Sequence, residues 1–166
     1  MTNPEILLDA VVDKLRSIEG LADSMEGDLD RIFAYKDAYP QEPSLARAVV
    51  ALKPPAVMVA HIGSEFAPPG TPGSFWTHRF QMFLRPRQEQ FDGEREGPPP
   101  DSYMDLIRKI ANGTVRVNGA DQRWLFACLA DGTYAIEGIS FNRTPFSFSP
   151  DIEVFVGSFT ISDGNP

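Results

Sequence analysis

The clearest pattern of apolar and polar positions runs from Pro54 to Arg85. PPAVMVAHIG is a nearly unbroken apolar run closed by Gly63 and flanked by Pro and Gly. A run this short, bounded this way, predicts a central strand buried on both faces. FWTHRFQMFLR alternates instead. Trp76, His78, Phe80, Met82 and Leu84 fall on one face, and Thr77, Arg79, Gln81 and Arg85 on the other, with Phe75 and Phe83 as apolar exceptions. Period two predicts a strand. The intervening SEFAPPGTPGS is too rich in Pro and Gly to continue either strand. The two runs are therefore expected to pair antiparallel as a wide-looped hairpin.

Other patterns sort around this pair. Residues 4–19 predict a helix: Asn3 is a good N-cap, Pro4 suits the first helical position, and Gly20 supplies the stop. Ile6, Leu7, Ala10, Val11, Leu15 and Ile18 form its apolar stripe, laid on a sheet. A short strand is expected at 31–35 and a loop at KDAYPQEPS. LARAVVAL is read as a short extended or turn element, because the adjacent Val49 and Val50 lean to β. RPRQEQFDGEREGPPP is an exposed loop. DSYMDLIRKIANG carries a full set of helix punctuation. Ser102 and Asp105 form a capping pair, Tyr103, Leu106, Ile107 and Ile110 make a stripe, and Asn112 with Gly113 closes it. TVRV predicts a short strand, Asn118 and Gly119 a turn, and residues 124–129 an apolar segment. Strands follow from 134 to about 142 and from 152 to 162, the latter inside the sheet with Gly157 marking a bulge. This order predicts one α+β domain over residues 1–166, with a mostly antiparallel β-sheet and helices packed on one face.

Composition narrows the function classes. Net charge is −8, so the chain lacks the electrostatic footprint for wrapping nucleic acid or docking on anionic lipid. The single cysteine, Cys128, lies in the apolar WLFACLA and reads as a buried, inert thiol. It permits no internal disulfide, which suits a reducing compartment. The first residues are too acidic for a signal peptide, and no apolar run approaches the ~20 residues of a membrane helix.

No GxSxG, GxxxxGK[ST], HExxH or CxxC occurs. If the two long strands pair, His61, Glu65 and His78 could approach a metal ion. His78, however, shares a face with Trp76 and Phe80, where a histidine is more often part of the core. No catalytic residue, metal ligand or cofactor is therefore expected.

Three pieces together resemble the tail terminator proteins of long-tailed bacteriophages. The first is the N-terminal amphipathic helix followed by PPAVMVAHIGSEF. The second is the Gly/Pro loop leading into FWTHRFQMFLR. The third is the helix DSYMDLIRKIANG with the closing SPDIEVFVGSFTIS. The likeness spans most of residues 4–163; the longer 20–53 stretch and the RTPF segment depart from it. The resemblance implies a non-enzymatic structural subunit that assembles with itself into a hexameric ring. Such a ring caps the tail tube and offers a surface to the head–tail connector protein. It implies residence in the virion tail or neck after assembly in the host cytoplasm, with no nucleic-acid or membrane partner. Subunit contacts are expected from the loops at 64–75 and 86–100, with Glu65, Phe66, Thr71, Arg87, Glu89 and Arg95 as candidate interface residues. Three alternatives remain at this point: another neck or connector protein, a cytoplasmic immunity or adaptor module, and a small metal-dependent enzyme built on His61, Glu65 and His78.

Overall fold

The computed structural model describes the chain except residues 1–2, 37–41, 67–73, 87–99, 127, 130–133, 147–148 and 166. Helix α1 spans Pro4–Arg16, and the Asn3 side chain accepts a hydrogen bond from the Glu5 N–H at 3.0 Å. That is the N-cap its sequence foretells. Its buried stripe is Leu7, Leu8, Val11, Val12 and Leu15, whereas Ile6 is 59% exposed, so the buried face is rotated from the one expected. The helix stops three residues short of the expected end. Ile18 is buried beyond it, and Gly20, at φ +77°, turns the chain into the short helix α2, Leu21–Ser24. A left-handed residue of this kind is where glycine carries no Cβ penalty.

Strand β1 is Ile32–Ala34, and helix α3 is Glu42–Val50. The latter corrects the extended reading of LARAVVAL. Val49 is fully buried under this helix, and packing overrides the modest β preference of paired valines. Strands β2, Ala56–Phe66, and β3, Ser74–Arg85, form the expected antiparallel pair. Helix α4 is Pro100–Asn112. Strands β4, Thr114–Val117, and β5, Ala120–Arg123, form a separate hairpin turned by Asn118 and Gly119, at φ +50° and +80°. The apolar 124–129 segment divides into a 3-10 turn, Trp124–Phe126, and strand β6, Cys128–Leu129. Strands β7, Tyr134–Phe146, and β8, Ser149–Asn165, complete the chain.

The domain is α+β. Its main sheet has the order β1-β2-β3-β8-β7-β6; β1 runs parallel to β2 and every other pairing is antiparallel. As expected, β8 lies inside the sheet, between β3 and β7. Gly157 does not mark a bulge, since it pairs in unbroken register with Met82 and Phe141. The irregularities fall in β2, between His61 and Gly63, and in β7, between Glu137 and Ser140.

One sheet face carries α1, α2 and α4. There Leu7, Leu15, Leu21 and Ile110 pack with Val57, Val59, Phe80, Met82 and Phe159. Phe80 stacks on Phe159 at 5.4 Å, and Trp124 sits edge-on to Phe159 while its indole N–H donates to the Ile110 carbonyl. The helix missed in the sequence, α3, covers the opposite face through Val49, with Met58, Ala60, Phe83 and Val154 beside it. Phe80 is buried and Arg79 exposed, so the register of β3 is the one its alternation predicts.

Candidate functional site

The β2–β3 hairpin divides into two halves. Over residues 56–60 every β2 residue is buried. Strand β1 pairs with Val57, Met58 and Val59, and the Tyr35 N–H extends the pairing to the Val59 carbonyl at 2.8 Å. Beyond that point, the outer edge of β2 over residues 60–66 has no paired strand among the described residues. Gly63 does not close the strand as expected. It belongs to a bulge, a common use of glycine within a strand, and β2 continues to Phe66. Glu65 and Phe66 are therefore strand residues, and the loop expected at 64–75 is shorter than the sequence suggests.

The bulge decides which side chains meet. His61 opposes Phe80 and Gly63 opposes Arg79, leaving Ile62 as the extra residue, 46% exposed. Everything after it changes face relative to an unbroken strand. Ser64, not Gly63, then lies opposite His78, and Glu65 lies opposite Thr77. Ser64 Oγ is 2.9 Å from His61 Nε2 and 2.7 Å from His78 Nδ1. The hydroxyl has one proton, so it donates to one imidazole and accepts from the N–H of the other. His78 is fully buried beneath this link. His61 sits 5.3 Å from the Phe80 ring and 6.1 Å from the His78 ring. Burial first, and the neighbouring His78 second, hold the His61 pKa below its ordinary 6.5.

This geometry undoes the metal reading. Glu65 is turned away from the histidines and pairs with Arg79 at 2.5 Å on the other face. Among the described residues, no group of three His, Cys, Asp or Glu side chains could hold a metal ion. The chain of His61, Ser64 and His78 ties two strands together, and Glu65, which could have oriented a histidine as a base, points elsewhere.

Of the residues expected at a subunit interface, Glu65 and Phe66 lie at the far end of β2 and are exposed. Phe66 is 53% exposed and packs edge-on against Trp76 at 5.2 Å. Thr71, Arg87, Glu89 and Arg95 lie outside the described residues. Sequence reasoning missed Ile62, whose exposure follows from the bulge. A glycine inside an otherwise apolar strand was the available signal.

A groove of about 420 Å³ lies at the opposite end of β2, with Phe33, Leu52 and Ala56 in its lining and Arg31 and Lys53 beside them. The Arg31 guanidinium donates to the carbonyls of Pro54 and Pro55, so this cation holds the entry to β2. Among the described residues, no helix is long and apolar enough to cross a membrane. Compared with known proteins, the chain matches no family model and no curated protein.

Proposed function

We propose that this protein is a non-enzymatic structural subunit, a tail-terminator-like protein of a phage or related particle. It acts as a hexameric ring that caps the tail tube and presents a joining surface to the head-side connector. The observation that carries the reading is the outer half of the hairpin, where a strand edge without a described partner coincides with exposed Ile62 and Phe66. A monomer seldom leaves a strand edge and large apolar side chains exposed at one place unless another chain covers them. The α+β architecture agrees with the fold that the sequence resemblance implies. The removal of Glu65 from the two histidines weighs against the metal-dependent enzyme.

The test is electron microscopy of the purified chain, alone and with tail tubes from its native particle, combined with deletion of its gene there. Rings seated on tube ends, and particles with aberrant tail length or unjoined heads after deletion, are expected. Normal tails and normal head joining without the protein would overturn the reading.

A further inference from the structure

The β2–β3 hairpin carries an apolar projection at one end and an apolar groove at the other. At the far end Phe66 is 53% exposed, braced edge-on by Trp76 at 5.2 Å and flanked by the Glu65–Arg79 ion pair. At the near end lies the groove of about 420 Å³, with Phe33, Ala48, Leu52 and Ala56 in its lining. We propose that Phe66 of one copy seats in this groove of the next, joining the copies head to tail. This rests on the ring reading above and names the contact that would build it.

The groove suits an aromatic side chain better than a small polar ligand. Its volume falls within the roughly 300–1,000 Å³ of ordinary binding pockets. A site for a small polar ligand converges several polar groups on it, and here most are already engaged. The Arg31 guanidinium donates to the Pro54 and Pro55 carbonyls and pairs with Glu26 at 3.5 Å, and Asp28 Oδ1 accepts from the Asp30 N–H. The Asp30 and Lys53 side chains have no hydrogen-bond or ion-pair partner among the described residues. They give the groove one charge of each sign, and Glu65 and Arg79 bring one of each beside Phe66. Seating Phe66 then sets Glu65 against Lys53 and Arg79 against Asp30. An aromatic anchor in a pocket, ringed by opposite charges, supplies both affinity and register. Phe66 also arrives braced by Trp76, which lowers the ordering cost of docking.

The placement of the two patches suits a ring. Phe66 opposes Trp76, whose alternation with Phe80 puts it on the α1 face, whereas Ala56 packs on the α3 face. Projection and groove therefore occupy diagonally opposite corners of β2, roughly 30 Å apart for a strand of eleven residues. They cannot meet within one chain. A copy placed behind another offers its projection to the groove ahead, and a constant turn at each junction closes the series. The axis of that turn lies across the strands, because an axis along them would hold the two corners at different heights. A two-fold contact would need both patches on one surface, to be exchanged reciprocally, and they lie on opposite faces.

The experiment compares three proteins: wild type, Phe66→Glu at the projection, and Ala51→Glu at an exposed position in the groove lining. Circular dichroism scores folding and light scattering reads mass. Wild type is expected to exceed a dimer, and each variant alone to be monomeric. Their equimolar mixture is expected to stop at a heterodimer, through the one junction left intact. Assembly that survives either variant, or a mixture that stays monomeric, would overturn the contact while leaving the ring reading in place. A wild-type chain that stays monomeric at every attainable concentration would overturn the ring reading itself, and this contact with it. Should either variant fail to fold, Glu65→Cys/Lys53→Cys in a Cys128→Ala background decides. A disulfide needs Cα atoms within about 7 Å, so this pair cannot close within one chain. Mild oxidation is expected to give covalent multimers of up to six copies, and none from an assembled protein would overturn the contact.

Discussion

The two halves of β2 differ in burial and in pairing. From Ala56 to Ala60 the strand is buried on both faces, under α1 on one side and α3 on the other, and its edge is sealed by β1. From His61 onward the same strand is bulged, partly exposed and without a described neighbour on its outer edge. The first half behaves as core and the second as surface, although both pair with β3 in one ladder. A strand that only stabilised a domain could end at Ala60. Its extension through a bulge to an exposed aromatic is understandable if the far half meets another chain.

Several substitutions should sharpen this contrast. The largest effect is expected at Phe80, which sits where the halves meet, opposite His61 and stacked on Phe159. Phe80→Ala should cost about 3–5 kcal/mol in urea unfolding, as truncation of a fully buried aromatic does. A cost below about 1 kcal/mol would mean that the core does not reach this far.

Ser64→Ala comes next. It removes the hydroxyl shared by His61 and His78, and should cost about 1–3 kcal/mol, the usual penalty for losing a hydrogen-bond partner inside a protein. An unchanged unfolding midpoint would show that the link contributes nothing to holding the strands.

His61 should give the fold a pH dependence with a definite sign. Its folded pKa lies below the ordinary 6.5, so the unfolded chain takes up the proton first as pH falls. The contribution from His61 is then constant above about pH 6.5, falls as pH drops from there to the lower folded value, and levels off beneath it. His61→Gln should flatten that part of the stability curve, measured by urea titration at a series of pH values. A variant with the same slope as wild type would assign the dependence to other groups.

The smallest effects on the monomer belong to the outer residues. Phe66→Ala should change unfolding free energy by no more than about 0.5 kcal/mol at high dilution, as exposed positions generally do. Glu65→Gln, which weakens a largely exposed pair with Arg79, should change it by about 0–1 kcal/mol. A large destabilisation at Phe66 would make the far half core after all, and the contrast between the halves would fail.

Much of this fold is legible in the sequence, for identifiable reasons. Alternation from Trp76 to Met82 placed the face of β3, because moving the register by one residue would bury Arg79 and expose Phe80. Asn3 with Pro4 placed the start of α1, and Asn118 with Gly119 the turn between β4 and β5, since each local motif satisfies backbone groups in one conformation. Helix α3 was not legible, because its two valines favour β locally and only burial of Val49 against the sheet reverses that. The site was the least legible part. One extra residue at Ile62 turns Glu65 off the histidine face and sets Ser64, in place of Gly63, opposite His78, and period-two reasoning carries no information about where a strand gains a residue. The interface residues named from loops fared differently. Glu65 and Phe66 proved to be exposed strand positions, while Thr71, Arg87, Glu89 and Arg95 fall outside the described residues.

The central claim is that this chain builds a closed assembly of identical copies. Native mass spectrometry of the purified chain through a dilution series tests it most directly. A single closed stoichiometry of six copies, dissociating to monomer on dilution, is the result the account predicts. A monomer throughout, a dimer that never grows, or an open ladder of sizes without a dominant species would contradict it.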